Sequence, residues 1–144
     1  MNGIENTDKA KKLFDKVKDD SVKKFLDTLI LSIESKAKTI RAVTHEFKFW
    51  FSGQQKCCLY IRPSSKRVDI YIADLKPEIV KREALKHELI LDVKDNTSNP
   101  NDQFKSVIVV DGQWLEANSG KINDLTGFIN NLMEDLNKRG MLDK

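Results

Sequence analysis

The sequence predicts an α+β fold: an antiparallel sheet, made of a three-strand meander plus a hairpin, packed against N- and C-terminal helices. Three observations carry this. Apolar residues recur at helical spacing at both ends of the chain, the period switches to two from about residue 39, and short polar turn segments punctuate the alternating runs. Residues 1–144 read as a single globular domain, with no internal repeat, low-complexity tract or linker.

Ala10, Leu13, Phe14 and Val17 predict a short amphipathic helix capped by Thr7 or Asp8. A second helix is expected from Asp19-Asp20-Ser21, whose acids suit the positive end of a helix. Its apolar stripe is Val22, Phe25, Leu26, Leu29, Ile33 and Ala37. Three strands follow. Phe47, Phe49 and Phe51 alternate with Lys48 and Trp50; Cys57, Leu59 and Ile61 with Cys58, Tyr60 and Arg62; Val68, Ile70 and Ile72 with Arg67, Asp69 and Tyr71. Residues 75–89 suit a helix with Pro77 in its first turn. Residues 89–95, LILDVKD, fit either more helix or a strand, and 96–102 form a loop. In SVIVVDGQWLEA, Asp111-Gly112 predicts a hairpin turn between two further strands. The last helix carries Leu125, Phe128, Ile129, Leu132, Met133 and Leu136, with Asn123 or Asp124 as cap and Gly140 as its end. The expected core is Phe14, Phe25, Leu29, Ile33, Phe49, Leu59, Ile70, Val109, Phe128, Ile129 and Leu132.

Composition narrows the function classes. Apolar residues are 40% and charged residues 33%, a globular rather than disordered balance. No apolar run approaches the roughly 18 residues of a membrane span, and MNGIENTDKAKK lacks the apolar segment of a signal peptide. Membrane partners are therefore not expected, and two adjacent cysteines without a disulfide framework point to a reducing, cytoplasmic setting. Residues 1–72 hold 15 Lys/Arg against 9 Asp/Glu, while residues 73–144 hold 10 against 13. Such asymmetry permits an anionic partner on one side.

Cys57 and Cys58 are neighbours on a strand and so point to opposite faces, where they cannot share an ion. No CxxC pattern or nearby histidine completes a set, so neither a metal nor a cofactor is expected. No GxSxG, HExxH or Gly-rich phosphate loop is present to support catalysis. The polar face of the meander carries Lys48, Trp50, Lys56, Tyr60, Arg62, Arg67 and Tyr71. Aromatic and cationic side chains interleaved on a sheet stack bases and neutralise phosphates. Unless a helix such as 77–88 or a second subunit covers this face, the expected function is a binding module without catalytic activity that takes nucleic acid there. The alternative is a protein-interaction or homodimerisation domain using the same face. A second alternative is a Mg²⁺-dependent restriction-like nuclease, because Asp69, Asp92 and Lys94 resemble the separated Asp and Asp-x-Lys set in which two carboxylates hold the ion and a lysine activates water.

KRVDIYIADLKPEI, QWLEA and NDLTGFINNLMEDL, together with the order of elements over about residues 10–138, resemble a small uncharacterised bacterial α+β domain of the "predicted transport protein" type. That domain is found alone or beside nuclease-like regions. The resemblance implies a non-catalytic module tied to DNA metabolism or defence.

Overall fold

Asp19 fixes where the long N-terminal helix begins. Its Oδ1 accepts a hydrogen bond from the Val22 backbone N–H at 3.1 Å, the expected capping arrangement, and α2 runs from Asp20 to Glu34. Ahead of it lie a two-residue strand, β1 (Ile4–Glu5), and helix α1 (Thr7–Lys16). Neither Thr7 nor Asp8 caps α1. Its N-cap is Asn6, held in the left-handed region at φ 65°, where asparagine is tolerated. The Asn6 Nδ2 instead donates to the Ala42 carbonyl at 3.1 Å, tying the helix start to the sheet.

The computed structural model describes residues 4–35, 37, 39–50, 57, 59–96 and 103–142. After α2 come β2 (Thr39–Ala42), β3 (Phe47–Trp50), β4 (Leu59–Pro63), β5 (Arg67–Ala73), α3 (Pro77–Leu85), β6 (Asp92–Asp95), β7 (Phe104–Asp111), α4 (Gly112–Ala117), a single 3₁₀ turn at Ser119–Lys121 and α5 (Ile122–Leu142). Phe51, Lys56 and Cys58 lie outside the described residues. Among the described residues the sheet has seven strands in the order β1-β2-β3-β4-β5-β7-β6. Every pair is antiparallel except β1–β2, so the sheet is mixed and larger than the periodicity predicts. β1 escapes notice in the sequence because two residues show no period.

Of the two readings open for LILDVKD, the strand is the one adopted: α3 stops at Leu85, short of the expected residue 89, and Asp92–Asp95 form a strand. The expected hairpin at Asp111-Gly112 does not form. The Asp111 side chain accepts from the Trp114 N–H at 2.8 Å and caps α4, so β7 pairs with β6 before it rather than with a strand after it. Asp-Gly suits both a hairpin turn and a helix start. What decides is packing: a Cβ at position 112 would overlap the Asp19 carboxylate, so the glycine lets α4 close against the start of α2. At the C-terminus, α5 starts at Ile122 out of the 3₁₀ turn and continues through Gly140 to Leu142, so the Asn123 or Asp124 cap and the Gly140 stop are not used.

One sheet face is lined by Ile40, Ala42, Phe47, Phe49, Leu59, Ile61, Val68, Ile70, Ile72, Ile108 and Val110, all within a single hydrophobic cluster with the helices. α1 packs on β2 and β4, α2 on β5, and α3 on β6 and β7. Asn130 of α5 donates to Ser32 Oγ of α2 at 2.9 Å and to the Thr126 carbonyl at 2.8 Å, so the polar group buried between these helices is satisfied. Val109 departs from the expected core. It is buried, but it sits on the opposite face of the sheet and outside that cluster. Among the described residues, no helix is long and apolar enough to cross a membrane.

The end of α3 explains the strain at Glu88. Leu89 N–H donates to the Ala84 carbonyl at 3.0 Å and Glu88 N–H to Leu85 at 2.9 Å, the paired bonds of a Schellman close, with Glu88 left-handed at φ 59°. A glycine belongs at such a position. Glu88→Gly is therefore expected to raise the urea midpoint, adding about 0.5–1 kcal/mol once the extra freedom of glycine in the unfolded chain is deducted. A lowered midpoint would contradict this reading of the turn.

Candidate interaction face of the sheet

α1, α2 and α3 pack on the sheet from the apolar side, and α3 in particular contacts β6 and β7, where Val93 and Ile108 face the core, rather than the tyrosine strands. α4 borders one end of the opposite face, where Gln113, Trp114 and Ala117 line a pocket with Val109 and Asp92. Away from that end the opposite face is left open among the described residues. Cross-strand register aligns its side chains in rows, because directly opposed residues point the same way. One row runs Glu5, Arg41, Lys48, Tyr60, Tyr71, Val107 and Lys94 across all seven strands. The next runs Arg62, Asp69, Val109 and Asp92.

The centre of the face is aromatic. Tyr60 and Tyr71 stack with centroids 4.3 Å apart and planes at 13°, and Phe104 meets Tyr60 edge-on at 4.6 Å. The Arg62 guanidinium carbon lies 5.7 Å from the Tyr60 centroid and 5.3 Å from that of Tyr71. At the other end of the meander, Arg41 sits 5.3 Å from the Trp50 ring. These are cation–π distances. Val107 and Val109 form the floor beside the tyrosines, each 8% exposed.

The sequence placed Lys48, Trp50, Tyr60, Arg62, Arg67 and Tyr71 together, and the structure shows them on one face. It also brings in acids that the sequence did not pair with them. Arg62 bonds Glu46 at 2.7 Å, Lys48 approaches the same Glu46 at 3.8 Å, Arg67 meets Asp69 at 3.1 Å and Arg41 meets Glu5 at 2.9 Å. Burial pulls the Arg62 pKa down, but the hydrogen bond and charge of Glu46 outweigh it and hold the guanidinium above its ordinary value. The missed signal was Glu46 itself. It closes the two-residue turn between β2 and β3, where Val43 N–H donates to its carbonyl at 2.9 Å, and so arrives beside Arg62.

Asp92-Val93-Lys94 does lie on a strand, as a nuclease site would require. Asp69 and Asp92 flank Val109 in one row, two strand spacings or about 10 Å apart between backbones. Asp69 turns to Arg67, and Lys94 belongs to the neighbouring row. Among the described residues, no three of His, Cys, Asp and Glu are placed to hold a metal ion. The carboxylates do not converge on a shared position.

No protein-family model matches the chain, and no curated protein or solved structure matches it.

Proposed function

We propose that the chain is a binding module whose open sheet face receives a polypeptide. The observation that carries this reading is charge matching: Arg41, Lys48, Arg62 and Arg67 share three carboxylates, Glu5, Glu46 and Asp69, at 2.7–3.8 Å. A nucleic-acid strand draws its affinity from cations free to replace counterions. A face that is nearly neutral, with both signs around an aromatic centre, suits a protein surface instead. Tyrosine, tryptophan and arginine dominate the energetic centres of such interfaces, ringed by polar residues. Tyr60, Tyr71 and Arg62 form that centre here, with Trp50 at its margin.

The test is capture from nuclease-treated cell lysate on the immobilised chain, run beside two variants. One is Tyr71→Ala/Arg62→Ala on the open face. The other is Leu31→Ala, an exposed position on α2 (58%) on the far side. A polypeptide retained by the wild type and by Leu31→Ala, and lost with the face variant, is the expected result. Retention by all three would move binding off this face. Capture that disappears with nuclease treatment would assign the face to nucleic acid.

A further inference from the structure

β6 ends the sheet, and among the described residues nothing pairs with its outer side. An edge strand with free backbone groups is a template for another strand, and charges on it decide which one. The free groups can be identified. Asn96 N–H donates to the Lys105 carbonyl at 3.1 Å, so Asn96, and by alternation Lys94 and Asp92, turn their backbone bonds inward toward β7. Val93, with Leu91 and Asp95 on either side, therefore presents N–H and C=O outward.

From this we infer that β6 pairs antiparallel with β6 of a second copy of the chain, about a two-fold axis at Val93. In that register Val93 and its counterpart exchange both backbone bonds, and Leu91 pairs with the partner's Asp95 in the same way. Asp92 then falls opposite the partner's Lys94, and Lys94 opposite the partner's Asp92. These are non-hydrogen-bonded pairs, the kind that bring side chains closest. Both residues point to the open face, are exposed, and have no ion-pair partner among the described residues. Ile90, 80% exposed, precedes them on the same side and would be covered by the partner.

Self-complementarity is what selects a second copy over a foreign strand. A strand reading Asp-Val-Lys neutralises itself when paired with its own inverse, whereas another edge would need the same two charges in reverse order. A four-residue strand buries far less than the roughly 1,200 Å² of a standard interface, so the dimer is concentration-dependent and not obligate. The two-fold axis stands perpendicular to the sheet, so the open faces of both copies lie side by side as one continuous surface. Pairing at the β6 edge is independent of what occupies the open face.

Sedimentation velocity from about 10 µM to about 1 mM tests it, using the wild type, Asp92→Lys, Lys94→Asp and the double swap. The wild type and the double swap are expected to shift toward dimer as concentration rises. Each single variant sets like charges opposite one another and is expected to stay monomeric. A mixture of the two single variants is expected to regain the dimer, since one then brings two lysines to the edge and the other two aspartates. Circular dichroism confirms that each remains folded. A wild type that stays monomeric throughout would overturn the proposal and make the charges a guard against edge pairing. A dimer indifferent to the swaps would overturn it equally, by placing the contact elsewhere.

Discussion

Phe47→Ala is expected to lower the unfolding free energy by about 3–5 kcal/mol, the usual cost of deleting a buried phenylalanine. Phe47 is fully buried, faces Ile61 and Ala42 in register, and its ring lies 5.3 Å from that of Phe14, joining α1 to the sheet. Because a domain of this size has only about 5–15 kcal/mol in hand, the variant should approach the edge of folding. The next residue supplies the control. Lys48 points to the open face and its ion pair with Glu46 is long, 3.8 Å, so Lys48→Ala should change stability by less than about 0.5 kcal/mol. Urea unfolding of both variants checks the register directly. Similar losses at the two positions would mean that the faces are assigned wrongly.

Tyr71→Ala is expected to weaken partner binding by about 30-fold or more, the 2 kcal/mol or greater effect of a central aromatic. Its ring is half-exposed, stacks on Tyr60 and stands beside Arg62, so its removal dismantles the centre of the face at once. The fold should persist, since the lost cross-strand aromatic pair contributes about 1 kcal/mol. Titration calorimetry with the captured partner reads the affinity, and thermal unfolding reads the stability. A variant that binds normally would remove the tyrosine pair from the interface. One that fails to fold would show that the pair belongs to the core.

The face itself was legible in the sequence because strand alternation separates Phe47 and Phe49 from Lys48 and Trp50 without any three-dimensional knowledge. Its net charge was not. Alternation shows which residues share a side, but the register that brings Glu46 to Arg62 and Glu5 to Arg41 depends on the β2–β3 turn and on a parallel strand of two residues. Asp111-Gly112 misled for a related reason: the dipeptide suits two structures, and the choice between them rests on Asp19, far away in sequence. Val109 shows the same limit from the other side. An unbroken apolar run, Val107 to Val110, hides which members face the helices, and pairing alone places Val109 between Asp69 and Asp92.

Binding of a polypeptide rather than a nucleic acid rests on Arg41, Lys48, Arg62 and Arg67 being matched already by acids of the same face. Titration with labelled single-stranded DNA and RNA across about 20–200 mM salt, following tryptophan fluorescence, is the decisive check. Each phosphate neutralised on a single strand contributes a slope of about −0.7 in the logarithm of affinity against the logarithm of salt. With four cations sharing three carboxylates, the slope is expected to stay near or below one such unit, with no stable complex at the upper salt limit. A slope of about −3, accompanied by tryptophan quenching, would mean that Arg41, Lys48, Arg62 and Arg67 all leave their carboxylates for phosphate, and the face would then be a nucleic-acid surface.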